Sequence, residues 1–339
     1  MEGKRLNKEE EPKKKHKVLR VFIIIFIILL VLAIALIGTG YWYIHSKLDQ
    51  MNYVDNVTRN EIAVDAEVEE NLSEYRNIAL FGLDTHYDSF ENSRSDCIII
   101  VSINNNTKDV RLLSVYRDTY VDIDGHGLDK ITHAYAYGGP ALALSTLNKN
   151  LDLNITEFVT VNFETVKTIV DEIGGVQITV TSAEANSGSI PNIHSAGTYN
   201  LNGEQALAYS RIRKIDTDYQ RTERMRTVLD AVFTKVKGLS LTSLNSLLDT
   251  MLPHISTNIS KDEIIKLMPD VVSYNITESD GWPYNTRGWE VGLWYGIPVT
   301  LESNVKELHE KLFGETDYEP TETVKEISDR IVDKTGFTE

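Results

Sequence analysis

Between Asn77 and Arg226, acidic residues and arginines recur in short strings: Phe81-Gly82-Leu83-Asp84, Ser93-Arg94-Ser95-Asp96, Ser114-Val115-Tyr116-Arg117-Asp118-Thr119 and Ser210-Arg211-Ile212-Arg213. Arginine presents a planar fork of donors to phosphate oxygens and keeps its charge at any working pH, while aspartate oxygens hold a hard cation. Together they read as a metal-assisted pyrophosphate site. Two aspartates alone would be ordinary loop acids; Arg94, two residues before Asp96, makes the cluster one of both signs, which suits Mg²⁺ with phosphate oxygens in its shell. On a straight helix Arg211 and Arg213 would diverge by about 200°, so they can reach one ligand only from a helix end. Arg221 and Arg224 lie three apart, on one face near a helix N-terminus, where backbone N–H groups and the helix dipole favour an anion. Arg226 points elsewhere and reads as structural. Lys130 and His133 are further candidates for charge or hydrogen bonding near such a headgroup. No histidines are paired as in a helical zinc motif, there is one cysteine, and no Gly-x-Ser-x-Gly string occurs.

The elements that must position these residues follow from pattern. Asn77 to Leu83, Asp96 to Ile103 and Val110 to Val115 are apolar, β-branched segments, with a hairpin turn at Asn104-Asn105-Asn106. Asp84 and Asp96 thus fall at strand ends. Pro140 opens a helix through Leu151, Phe158 to Phe163 reads as a strand, and Glu164 to Ile173 as a helix stopped by Gly174-Gly175 before the strand Val176 to Val180. Asn202 caps a helix carrying Ser210 and Arg211, and Asp218 begins a longer one to about Gly238. A helix over Leu241 to Met251, another opened by Ser260-x-x-Glu263, a strand Trp289 to Ile297 and helices at Asn304 to Phe313 and Thr321 to Lys334 complete the chain. Alternating strands and helices predict a three-layer α-β-α sandwich with a mixed central sheet.

The first 20 residues hold eight Lys/Arg against four Glu, and Val21 to Ile44 carries no charge. At about 1.5 Å per residue that span crosses a hydrocarbon core of roughly 30 Å. Tyr41, Trp42 and Tyr43 sit at its interfacial end. The organisation expected is a basic cytoplasmic segment over 1–20, a transmembrane helix over 21–44, an extracellular linker over 45–74, a catalytic domain over 75–315 and a C-terminal helix or tail over 316–339. The positive flank places the N-terminus in the cytoplasm and the domain outside, a single-pass protein of the cell membrane. Beyond residue 44 there are 26 basic and 46 acidic residues, a net of −20, which excludes nucleic acid as a partner by bulk charge. Cys97, in the run Cys97-Ile98-Ile99-Ile100-Val101, reads as a small buried hydrophobe.

The four strings Phe81-Gly82-Leu83-Asp84, Ser93-Arg94-Ser95-Asp96, Tyr116-Arg117-Asp118-Thr119 and Lys130-Ile131-Thr132-His133-Ala134-Tyr135 resemble the LytR-CpsA-Psr family. So do Val170-Asp171-Glu172-Ile173-Gly174-Gly175-Val176, Leu201 to Arg213 and Asp218-Tyr219-Gln220-Arg221-Thr222-Glu223-Arg224, in the same order. The resemblance implies a Gram-positive wall enzyme that moves a glycopolymer from an undecaprenyl-pyrophosphate carrier to peptidoglycan, at the MurNAc 6-hydroxyl. It also implies a sandwich whose interior holds the polyprenyl tail. By the family's pattern Asp84 and Asp96 hold Mg²⁺, with Mn²⁺ the alternative, while Arg94, Arg117, Lys130, Arg211, Arg213 and Arg221 surround the pyrophosphate, joined by Arg224 from its helix face. Asp84, Asp96 and Arg117 are then the residues at the reacting phosphorus, Asp96 ahead of Asp84 as proton acceptor. The chain departs from that pattern at Tyr116, Thr132, Gln220 and Met225, where proline, asparagine, glycine and glutamine are usual. Two other readings stay open at this point: a pyrophosphatase that uses water at the same site, and a non-catalytic receptor for lipid-linked glycan.

Overall fold

Successive side chains of a strand point to opposite faces, so the near-continuous apolar runs of the central segments build a sheet with two apolar faces. In the computed structural model, which describes residues 39–55, 57–85, 90, 93–213, 215, 218–270 and 273–338, β2 (Tyr75–Leu83), β3 (Ser95–Asn104) and β4 (Asp109–Val115) form an antiparallel meander. Ile78, Ile99, Val110 and Leu112 point to one side, and Ala79, Phe81, Ile98, Ile100, Leu113 and Val115 to the other. The turn between β3 and β4 is closed by the Asn104 side chain, which accepts from the N–H groups of Asn106 and Thr107. Also in the sheet are β1 (Asn52–Tyr53), β7 (Glu157–Asn162), β10 (Ser256–Thr257) and β11 (Asn275–Trp282). Its order is β1-β10-β7-β2-β3-β4-β11, with β7 parallel to β2 and β11 parallel to β4, so the sheet is mixed as expected.

Helices cover both faces. On one side α3 (Ile131–Leu151), α10 (Leu301–Phe313) and α11 (Glu322–Thr335) share a core with Phe81, Ile100 and Leu113. On the other, α7 (Asp218–Lys237) and α9 (Lys261–Leu267) bring Leu229, Phe233, Ile264 and Leu267 against Ile78 and Ile99. A further apolar cluster joins α4 (Phe163–Glu172), β8 (Val176–Val180), α5 (Ser182–Asn186), β9 (Gly197–Leu201) and α6 (Gly203–Ser210) to α7 and α8 (Leu241–Met251). Two motif residues explain the α4–α6 contact. The Gly203 N–H donates to the Asp171 carboxylate at 2.7 Å, and a Cβ on Gly203 would fall 2.1 Å from the Lys167 carbonyl oxygen. Only glycine lets the two backbones approach so closely.

The chain divides into Met1–Asp49 and Gln50–Glu339. In the first unit residues 39–48 form α1, and the rest of the expected membrane span lies outside the described residues; among the described residues no helix is long and apolar enough to cross a membrane. The second unit begins earlier than composition suggests. Residues 52–74, read as part of a linker, pair β1 with β10 and bury Ile62, Val68 and Leu72, the latter two in and just after α2 (Ala66–Asn71). Three well-spaced aliphatic side chains suffice to dock a polar segment when a core awaits them. The C-terminal segment is likewise packed, with Val324, Ile327 and Ile331 buried. Helix α3 starts at Ile131 rather than Pro140. Its path breaks at Gly138 and Gly139, and Pro140 opens only the second half. The stretch read as one strand from Trp289 to Ile297 is a hairpin, β12 (Thr286–Val291) and β13 (Leu293–Pro298), turning at Gly292 with φ +74°. Strand β11 escapes sequence reading because it is an edge strand whose side chains are mostly exposed and polar.

Candidate functional site

Strands β2, β4, β7 and β11 all end at the edge where β3 begins: Leu83 pairs with Ser95 and Asn162, and Val115 with Trp282. The carboxyl ends of parallel strands are where open α/β sheets place ligands, because loops and helix termini converge there. Asp84, Asp96 and the Tyr116-Arg117-Asp118 turn meet at this edge, as the strand-end reading requires.

The charges are interlocked. Arg211 Nη2 donates to both Asp84 oxygens at 2.9 Å, and the guanidinium lies 5.2 Å from the Phe163 ring centre. Arg117 Nη1 donates to Asp96 Oδ1 at 3.1 Å, with its Nε 3.4 Å from Asp118. Arg213 Nη2 is 3.7 Å from the other Asp96 oxygen. Lys130, at the end of β6 (Gly127–Lys130), which pairs with β5 (Tyr120–Ile123), reaches Asp118 at 2.7 Å. Arg94 is exposed at the same edge, one residue before β3. Arg211 caps α6 at its C-terminal end and Arg213 lies beyond it, so both side chains turn to the strand ends instead of diverging around a helix.

Arg221 and Arg224 do share a face of α7, and both are buried. Arg221 donates to the Asp96 carbonyl at 3.3 Å, which puts it at the site. Arg224 donates to the Ile212 carbonyl at 2.8 Å and lies 3.5 Å from Glu184, so it braces the segment that carries Arg211 and Arg213. Asp118 was present in the sequence strings without a role; its place between Arg117 and Lys130 gives it one. Thr132, where asparagine is usual, uses its hydroxyl to donate to the Ser95 carbonyl at 3.0 Å and so holds the start of β3. Tyr116, in place of proline, packs its ring 4.3 Å from Tyr219 and its hydroxyl against Gly281, where a Cβ would meet it at 2.1 Å. Burial pushes the Tyr116 hydroxyl up to about 12. His133 binds Asp129 at 2.8 Å, off to the side; His86 lies outside the described residues.

Asp84, one residue past β2, and Asp96, the second residue of β3, lie at the ends of adjacent strands, and no group of three or more metal-ligating side chains occurs among the described residues. Mg²⁺ is usually held by one or two carboxylates plus substrate oxygens and waters, and here it would share Asp84 with Arg211 and Asp96 with Arg117 and Arg213. Directly behind this edge, on the α7 face, lies an apolar cavity of about 240 Å³. Leu80, Cys97, Ile99, Val161, Met225 and Val228 line it, and Phe163 and Ser210 place its wall beside Arg211. Cys97 is therefore a cavity-lining cysteine outside any disulfide.

An α/β domain of this architecture has known counterparts. The chain belongs to the LytR_cpsA_psr family, whose model matches residues 39–310. It is 36% identical over 225 residues to the polyisoprenyl-teichoic acid–peptidoglycan teichoic acid transferase TagT of Bacillus subtilis, covering 62% of this chain and 69% of that protein. It is also 36% identical over 259 residues to the transferase TagU of Enterococcus faecalis, covering 74% and 83%. Among solved structures it resembles the LytR-CPS2A-psr family protein YwtF (TagT) with bound octaprenyl pyrophosphate lipid, at TM-score 0.56 and 27% identity over 77% of this chain and 99% of that one.

Proposed function

We propose that the chain transfers a glycopolymer from an undecaprenyl-pyrophosphate carrier to a hydroxyl of peptidoglycan, the MurNAc 6-hydroxyl, on the outer face of the cell membrane. One observation carries the reading: the arginine–aspartate edge adjoins an apolar cavity, with Arg211 lying over the Phe163 ring that lines it, so a pyrophosphate on the first would continue into a hydrocarbon chain in the second. The names of the TagT and TagU relatives and the octaprenyl pyrophosphate in the solved YwtF (TagT) structure support both halves.

In this reaction the acceptor oxygen forms a bond to the sugar-proximal phosphorus. The bond from that phosphorus to the bridging oxygen breaks, and polyprenyl monophosphate leaves with the electron pair. Arg117, Arg211, Arg213 and Arg221 stabilise the equatorial and leaving oxygens, which is most of the work in phosphoryl transfer. Arg94 and Lys130 add charge at the rim. The acceptor's proton passes to a carboxylate, assigned to Asp96, which is more buried than Asp84. Mg²⁺ held by Asp84 and Asp96 would neutralise further charge on the phosphates. Met225, on the cavity wall, faces the first carbons of the tail; an apolar, flexible side chain suits that place better than the usual glutamine.

The test is reconstitution: the purified protein with Mg²⁺, a lipid-pyrophosphate-linked glycan and peptidoglycan oligomers should yield a covalent glycan–peptidoglycan product by mass spectrometry. Release of lipid monophosphate without that product would instead make the chain a pyrophosphatase. Tight lipid binding with no turnover would make it a receptor.

A further inference from the structure

The β12–β13 hairpin carries an indole that the transfer site does not use. Gly288 and Gly296 face each other across the hairpin, and Trp294 lies over both. A Cβ on Gly288 would fall 2.8 Å from the indole Nε1, and one on Gly296 3.4 Å from Cη2, so the ring rests flat on bare backbone. Its far side is open, and the residue is 43% exposed. A tryptophan with one face seated on a glycine pair and the other bare is a platform for a flat ligand.

Chemistry and position say which ligand. The indole face is electron-rich, and the axial C–H face of a pyranose is apolar and faintly positive, so the two stack while the sugar's hydroxyls stay at the rim. Glu290, exposed and paired directly opposite Trp294, offers those hydroxyls an acceptor. The same carboxylate would be repelled by an anionic bilayer. The hairpin is also tied to the site: the Gly296 N–H donates to the Asp118 carbonyl at 2.9 Å, so Trp294 stands two residues, roughly 7 Å of strand, from the turn that bears Arg117. Its Trp289 and Tyr295 pack against the core on the α3 face, opposite the cavity on the α7 face. Lys130 Nζ lies 5.4 Å from the Tyr295 ring centre, so the hairpin stands at the rim of the charged edge.

We propose that Trp294, on its Gly288–Gly296 floor, is a carbohydrate subsite that stacks one pyranose ring of a glycan lying across the transfer site. The route of the glycan rests on the transfer reading; the stacking does not. The full chain in detergent micelles should show a saturable change in tryptophan fluorescence with a sugar probe. Peptide-free GlcNAc–MurNAc oligosaccharides stand for the acceptor and N-acetylhexosamine 1-phosphates for the donor, and whichever binds assigns the source. Trp294→Ala should weaken binding by about tenfold, the worth of one aromatic contact. Gly288→Ala, which tips the ring without removing it, should weaken it by less, and both variants should bind octaprenyl pyrophosphate as the parent does. Equal sugar affinity in parent and Trp294→Ala, or no response to either probe, would overturn the subsite. So would a Trp294-dependent response to phosphatidylglycerol vesicles alone, since the exposed Val291 and Leu293 at the tip would then be a bilayer contact. Sugar binding in a protein that transfers nothing would leave the subsite standing and sink the transfer reading.

Discussion

Arg221 and Met225 stand one turn apart on α7, and their surroundings separate their roles. Arg221 is almost wholly buried beside Asp96, whereas Met225 lines the apolar cavity. Arg221→Ala removes a charge-assisted contact worth about 2 kcal/mol, so transfer should fall roughly thirtyfold in steady-state assays. Met225→Gln should stay within a few-fold, because a neutral hydrogen bond adds only about 1 kcal/mol net and the swap nearly conserves volume. The reverse ranking in proteins with unchanged circular dichroism would place the pyrophosphate elsewhere. Asp84→Asn and Asp96→Asn keep shape and lose charge; both should cut turnover by orders of magnitude and weaken its Mg²⁺ dependence, and near-normal turnover in both would remove the metal from the reading.

The elements that carry these side chains are held by contacts far from the phosphate edge. Gly203→Ala would force α6 away from α4, costing about 2 to 3 kcal/mol as an overpacked contact. Because Arg211 caps the same helix, calorimetry should show a lower Tm and lipid binding should weaken together; a drop in neither would mean the backbones have room. On the α3 side, Asp122 of β5 is buried between Lys149 and Arg330, with hydrogen bonds of 2.7 and 2.8 Å that tie α3 and α11 to the β5–β6 pair. Burial by itself would raise the Asp122 pKa, but those two cations more than reverse it, and it lies below the ordinary value. A depressed folded-state pKa adds stability that is present above about pH 4, the unfolded value, and is lost as pH falls through the folded one. Asp122→Asn should therefore cost about 2 kcal/mol at neutral pH and flatten the acid limb of the stability curve. An unaltered limb would assign acid sensitivity to other carboxylates.

For the protein in its cell, the basic flank, the charge-free span and an acidic remainder of net −20 set the orientation expected of the chain. Protease added to intact protoplasts should degrade residues from 45 onward while leaving the N-terminal segment; protection until lysis would reverse the topology. The acidic surface also bears on the site. On the transfer reading the arginine edge serves as a local site for a phosphate on an acidic surface rather than one patch of a basic face, so substrate binding should weaken only modestly with salt compared with a nucleic-acid binder.

Much of this was legible along the chain because it is written in local terms. Short, apolar, β-branched runs predicted β2, β3 and β4, Asn202 and Ser260 predicted their helices, and acids at strand ends must share an edge when the strands are paired in register. The sandwich and the candidate site could be drawn from those facts and from the family's strings. Long-range packing could not. That Arg224 braces Ile212 while Arg221 reaches Asp96, that residues 52–74 complete the core, and that Asp118 sits between Arg117 and Lys130 depend on partners far away in sequence. The glycine pair beneath Trp294 was hidden for the same reason: spacing reveals a face, but only the folding back of β12 on β13 reveals what that face covers.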